Sequence, residues 1–162
     1  MVLIVRVAKT KDIGSLVRLW HGLVEYHHAL PASGAVVSTR RLAPDAEKKW
    51  RVWVLKWIRS PNGFVLLAED DGKAVGYSLN YIKNNIPIYS VKKFGNMGDL
   101  FVMSAYRSKG MGSIFRKMAW KWFRKKRMQF VRIAIHPKNQ RSKKIYRGWG
   151  FEDNHVVMIR KL

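Results

Sequence analysis

The run from Asp99 to Gly112 constrains this chain more than any other stretch. It reads Asp-Leu-Phe-Val-Met-Ser-Ala-Tyr-Arg-Ser-Lys-Gly-Met-Gly. A short apolar segment leads into a basic turn with two glycines, and apolar residues at helical spacing follow. This order predicts a strand, a tight turn and a helix N-terminus. The first N–H groups of a helix have no intrahelical partner, and the helix dipole adds roughly half a positive charge there. Glycine has no Cβ, so an anion can come close to the backbone. Arg107 and Lys109 add charge on either side. Such an element suits a bound phosphate.

Spacing removes two phosphate-binding patterns. The dinucleotide fingerprint needs a third glycine where this chain has Phe115, and no Gly-Lys-Ser/Thr completes a Walker loop. What stands is Arg-x-x-Gly-x-Gly, from Arg107 to Gly112. A second block, Asn139-Gln-Arg-Ser142-Lys-Lys-Ile-Tyr146-Arg-Gly-Trp-Gly150-Phe151, lies downstream. The first block resembles the acetyl-CoA pyrophosphate loop of the GNAT N-acetyltransferase superfamily. The second is similar to that superfamily's late helix, Asn-x-x-Ala/Ser-x-x-x-Tyr followed by Gly-Phe. Both occur in the expected order.

A chain of 162 residues with 48% hydrophobic content has room for one core and is read as a single domain over 1–162. No apolar run approaches the roughly 20 residues that span a bilayer. The opening Met-Val-Leu-Ile-Val-Arg reads as a strand rather than a leader. With no cysteine, disulfides and thiolate metal sites are excluded, and no metal site is expected. The expectation is a soluble, cytoplasmic protein. The net charge is +22, and seventeen of the 32 Lys and Arg fall at or after Phe101, opposed there by Glu152 and Asp153 alone. A bound ligand's phosphates use part of that excess. Association with a polyanion such as RNA or the ribosome is the sharper reading.

Along the chain, Leu3–Val7 reads as a strand. Thr10 caps a helix that places Ile13, Leu16, Val17, Trp20, Leu23 and Val24 on one face and ends near His28. Residues 31–43 read as a loop. Residues 44–60 read as a helix with Trp50, Trp53 and Trp57 on one side, assigned to the core or a dimer face in preference to base stacking. Strands follow at 64–69 and 74–82, joined by Asp70-Asp71-Gly72. Residues 84–96 read as a loop and Asp99–Met103 as the central strand. After the glycine turn comes a helix with Arg116, Lys117, Lys121, Arg124 and Lys125 outward. A strand at 130–135, a helix at 142–148 and a closing strand at 156–162 complete the order β-α-α-β-β-β-α-β-α-β. That is a mixed α/β fold, mostly antiparallel with parallel pairing near the glycine turn, and it agrees with the GNAT fold.

The resemblance implies acetyl-CoA as donor, CoA as product and a primary amine as acceptor. It places the pyrophosphate on the backbone of Ser108, Lys109, Gly110, Met111, Gly112 and Ser113 beside Arg107. The pantetheine arm would pair with Leu100, Phe101 and Val102 as if it were a strand, with Asn139 on its other side. Tyr146 takes the position of the general acid that protonates the departing thiolate. For the base, Asp99 is the leading candidate, with Glu25, Glu69, His27, His28 and His136 also possible. Glu25, Tyr26 and His28 end the first helix, where the superfamily lines its acceptor site. The nearest group is the diamine acetyltransferases, but the carboxylate that group carries corresponds here to Gly98. A polycationic acceptor also fits a +22 protein poorly. Many proteins of this fold pair as homodimers, and the resemblance extends that expectation here. A non-catalytic nucleic-acid binder on the same fold is the alternative.

Overall fold

The computed structural model describes residues 3–162. Strand β1 is Leu3–Val7, and a 3-10 turn at Thr10–Asp12 leads into α1, Ile13–His28. Helices α2 (Gly34–Arg40) and α3 (Ala46–Arg59) follow, then β2 (Gly63–Asp70), β3 (Lys73–Asn84) and β4 (Lys93–Val102). A second 3-10 turn, Ser104–Tyr106, leads to α4 (Met111–Lys125), β5 (Val131–Ile133) and α5 (Gln140–Gly148). The sheet runs β1-β2-β3-β4-β5, antiparallel except for the parallel pair β4–β5.

Helices α1 and α3 cover one face of the sheet. There Leu16, Leu19, Trp20, Val54 and Trp57 bury themselves against Val65, Leu67, Tyr77 and Leu79. Trp50 stacks on Trp20 at 5.1 Å and Trp57 on Tyr81 at 4.6 Å, so these tryptophans are core residues. Helix α4 covers the other face through Met111, Phe115, Ala119 and Phe123. Its outward side carries Lys117, Lys121, Arg124 and Lys125, the split expected of a two-sided helix. Arg6 ties β1 to the start of α1 and to β2, donating to Asp12 at 2.7 and 2.9 Å and to Glu69 at 2.7 and 2.8 Å.

One irregularity shapes everything around the glycine turn. On β3–β4, Leu79 faces Asp99 but Asn80 faces Met97, so Gly98 is an extra residue, a β-bulge. Side chains two apart on a strand normally share a face. The bulge breaks that rule: Met97 packs under α4, whereas Asp99 and Phe101 turn toward α1 and α3. A Cβ on residue 98 would lie 2.6 Å from the Tyr81 ring, which accounts for glycine there. Strand β5 pairs with Gly95–Met97 and no further, so the outer edge of β4 is open beyond the bulge.

Three expectations from the sequence are corrected. Residues 31–43 are not all loop, because α2 forms within them; none of its residues is buried, so it left no apolar period to read. Residues 84–96 are loop only from 85 to 92: β3 runs to Asn84 and β4 starts at Lys93, pairing having overridden the poor strand propensity of Lys, Asn and Gly at both ends. Residues 156–162 form no strand. Val156, Val157, Met158 and Ile159 are exposed, since strand-forming residues need a partner strand and none is paired with them. The observed order therefore gains a helix after α1 and lacks the closing strand. No helix among the described residues is long and apolar enough to cross a membrane.

Candidate functional site

The second half of β4, the turn after it, the start of α4 and the body of α5 converge with the end of α1. Backbone direction on β4 alternates. Met103 N–H donates to Val75 O at 2.9 Å, so residues 99, 101 and 103 point their backbone groups at β3. Leu100 and Val102 therefore turn theirs outward, to the side where no strand lies; Phe101, expected to do the same, does not. Arg107 Nε donates to the outward Val102 carbonyl at 2.8 Å. Its guanidinium lies over Tyr26 at 5.0 Å and Phe101 at 5.8 Å. Arg107 thus braces the turn against β4, and Lys109 Nζ sits 5.2 Å over the Tyr106 ring.

The turn itself is shaped for close backbone approach. Ser108 and Gly110 have φ of +63° and +79°, and Gly110 is the N-cap of α4. No side chain caps this helix. Ser113 N–H bonds back to Gly110 O at 3.0 Å, and the N–H groups of Met111 and Gly112 have no acceptor among the described residues. A Cβ on Gly110 would meet nothing within 4 Å, so the space above the helix end is open. Free N–H groups, an open approach and a positive dipole end fit a pyrophosphate.

Asp99 sits just past the bulge. It accepts a 2.9 Å hydrogen bond from Tyr77 OH, and the Trp50 indole also favours its charged form. Burial pushes its carboxyl up to about 6, against the pull of those two donors. Tyr146, on α5, is 7% exposed, its ring edge-on to Trp149 at 5.2 Å and Phe151 at 5.9 Å. Burial, then the charge of Asp99, then Tyr26, raises its phenol above the ordinary tyrosine range. The same carboxylate raises Tyr77 and Tyr81, after burial in both cases. One partly buried negative charge thus reaches three tyrosines.

Asn139 is 4% exposed and caps α5, its Oδ1 accepting from Ser142 N–H at 3.1 Å and from Tyr26 OH at 3.2 Å. Tyr26 therefore joins α1 to the helix that carries Tyr146. Glu25 and His28, the other residues expected to touch the acceptor, lie exposed outside this cluster. His28 Nε2 pairs with Arg40 O at 3.2 Å and borders a surface cavity of about 230 Å³ with Leu30, Ala32, Val37, Arg40 and Arg41. Trp50, Tyr77 and Tyr81 were not expected at the site from sequence; the alternating Tyr77-x-Leu79-x-Tyr81 on the strand opposite Asp99 was the signal. No cluster of three His, Cys, Asp or Glu able to hold a metal is present among the described residues.

A mixed sheet with a bulge, and an uncapped helix end beside the unpaired edge of β4, form a geometry that suits a phosphate-bearing, extended ligand. The family model described as "Acetyltransferase (GNAT) family" matches residues 26–151, and the chain belongs to that family. An uncharacterized N-acetyltransferase from Methanocaldococcus jannaschii is 28% identical over 116 residues. That match takes in 68% of this chain but 49% of the relative, so the chain spans about half the relative's length. Among solved structures, a predicted acetyltransferase from Clostridium acetobutylicum, solved with acetyl-CoA, is similar with a TM-score of 0.79 at 14% identity, covering 99% of this chain and 96% of that one. The aminoglycoside N-acetyltransferase AAC(6')-Iy in complex with CoA gives a TM-score of 0.74 at 18% identity, covering 99% and 95%.

Proposed function

We propose that this protein is an acetyl-CoA-dependent N-acetyltransferase acting on a primary amine. The observation that carries the reading is the uncapped, open start of α4 beside the unpaired edge of β4, with Tyr146 on α5 feeling the charge of Asp99 on that strand. Bound there, acetyl-CoA supplies an activated acetyl group on a thiol leaving group. Residues 108–113 would hold its pyrophosphate by backbone N–H groups, and the outward backbone of Leu100 and Val102 would align its arm. Asp99, with its carboxyl near 6, is ionised at neutral pH and takes a proton from the incoming ammonium. The Tyr146 phenol keeps its proton throughout the physiological range and donates it toward the sulfur. The low-dielectric surroundings of both groups strengthen these interactions. Isothermal titration with acetyl-CoA tests the reading, with Gly110→Glu as the control that puts bulk and negative charge where the pyrophosphate sits. Binding lost in that variant supports it, and absence of binding in the unaltered protein overturns it.

The outward side of α4 favours a second reading, nucleic-acid binding through Lys117, Lys121, Arg124 and Lys125. No ion pair involves these four among the described residues. Steeply salt-dependent binding of RNA or DNA, with no acetyl-CoA binding, is its signature.

A further inference from the structure

The face of the sheet that carries Asp99 continues across the bulge to a second charged group. Tyr81 on β3 faces Asn96 on β4, and Asn96 is in parallel register with Arg132 on β5. Arg132 Nε donates to Asn96 Oδ1 at 2.8 Å, and its guanidinium lies 4.9 Å over the Phe94 ring. Asn96 is 8% exposed, and its Nδ2 donates to Phe94 O at 3.1 Å and Tyr81 O at 3.5 Å. The amide is therefore locked with its oxygen toward Arg132. Ring and amide together hold the guanidinium plane in place and use one of its donors. The terminal nitrogens make no hydrogen bond or ion pair with any described residue. A fork of parallel N–H groups, held rigid and left without an anion, matches a carboxylate bidentately.

Its position relative to Asp99 supplies the substrate geometry. Tyr81, half-buried between them, feels both charges: Asp99 raises its phenol and Arg132 lowers it. Asn96, which holds Arg132, lies three residues before Asp99 on β4, roughly 10 Å along a regular strand at about 3.3 Å per residue and less across the bulge. A diamine reaching Asp99 with one end would place its second cation against Arg132. An acceptor with an amine at one end and a carboxylate at the other has the complementary charges.

We infer that the acceptor is an amino-carboxylate, its amine delivered to Asp99 and its carboxylate held by Arg132. This rests on the acetyltransferase reading for the reaction, though not for the binding of the carboxylate.

The test compares 6-aminohexanoate, hexylamine and 1,6-diaminohexane as acceptors at saturating acetyl-CoA. The expected result is a kcat/KM for 6-aminohexanoate at least tenfold above that for the diamine. Arg132→Gln is expected to raise the KM for 6-aminohexanoate about tenfold or more while leaving hexylamine turnover unchanged, and Arg132→Glu to favour the diamine. Equal use of the three amines, no turnover of 6-aminohexanoate, or a uniform loss in Arg132→Gln would overturn the assignment; the last would make Arg132 a brace for the bulge. Should the protein fail to bind acetyl-CoA, the reaction falls separately. Binding of 6-aminohexanoate, followed by tryptophan fluorescence in the unaltered protein and in Arg132→Gln, then decides the carboxylate site by itself, and equal or absent binding in both overturns it.

Discussion

Tyr77 reaches diagonally across the β3–β4 ladder to donate a 2.9 Å hydrogen bond to Asp99, although its own partner in the register is Phe101. The bulge at Gly98 makes this contact. Were Gly98 paired in a regular ladder instead of bulged, position 99 would share Met97's face on the α4 side of the sheet, away from Tyr77 and Trp50.

Replacing Asp99 by Asn should separate stability from activity. Its carboxyl rises from an ordinary 3.8 to about 6 in the fold, so the folded chain holds that proton more tightly than the unfolded chain does. The stabilisation this represents is complete below pH 3.8 and is lost as pH rises through about 6. At pH 8 the wild-type protein bears the cost of a partly buried charge, at most about 3 kcal/mol and less for the water that still reaches it. Asp99→Asn should then unfold at a higher denaturant concentration at pH 8 and have little advantage at pH 4, and its loss of turnover should be large at pH 8 and small at pH 4, where the unaltered carboxyl is already protonated. In the unaltered enzyme, kcat/KM should fall on the acid side with an apparent pKa near 6. Tyr77→Phe removes a donor to the carboxylate, so that limb should move to higher pH.

Tyr146→Phe keeps the ring that packs on Trp149 and Phe151 and removes only the hydroxyl. A fall in kcat of about 10²-fold or more is expected, the usual range for a lost general acid. The Kd for acetyl-CoA, measured by titration, should stay within about twofold. Unchanged turnover would remove Tyr146 from the chemistry.

Much of this site was legible in the sequence, and the parts that were not share a cause. Arg107–Gly112 and Asn139–Phe151 were readable because a tight turn, a helix start and a cap each require particular residue types at fixed short spacing. Tyr146 came with them. The placement of Tyr77, Trp50 and Arg132 relative to Asp99 depends on β-register, and register depends on one inserted glycine. Nothing near Gly98 in the chain marks it as a bulge; the mark is the Tyr81 ring packed against its α-carbon from another strand. Arg107 was readable as a charge but not as a brace for Val102, because a side chain's direction follows from its neighbours in space. The exposed run 156–159 reads as a strand on propensity alone, and propensity counts only when a pairing edge is supplied.

The glycines of the turn should fail in distinguishable ways. Gly110 has a φ of +79° and open space where a Cβ would go, so Gly110→Ala carries a backbone cost of about 1 kcal/mol and no clash. Gly98→Ala places a methyl 2.6 Å from the Tyr81 ring and must move it. Thermal melts should show a small loss for Gly110→Ala and a larger one for Gly98→Ala. Acetyl-CoA affinity should fall in the first, where the α4 start is disturbed. The amine KM should rise in the second, where the wall beside Asp99 is displaced.

Arg6 supplies the contrasting case, a charged cluster that serves stability alone. Its guanidinium faces Asp12 and Glu69, and the hydrogen bonds to both carboxylates raise its own pKa. Asp12 is held below the ordinary carboxylate range, first by Arg6 and then, against the cost of burial, by the Lys9 N–H, which donates at 2.7 Å. The sign is opposite to that of Asp99: this stabilisation is present above an ordinary carboxylate's pKa and is lost as pH falls through Asp12's depressed one. Arg6→Met keeps the apolar stem but strands Asp12, 8% exposed, without its cation. A loss on the order of 2 kcal/mol is expected, since the carboxylate keeps one backbone donor and some contact with water. Denaturant melts should show that loss at pH 7 and less of it as pH falls through Asp12's depressed pKa. Because none of the three groups contacts Asp99, Tyr146 or the α4 start, kcat and the acetyl-CoA Kd of the folded variant should match the unaltered protein. A change in either would mean that the β1–α1 corner positions the site as well as holding the sheet.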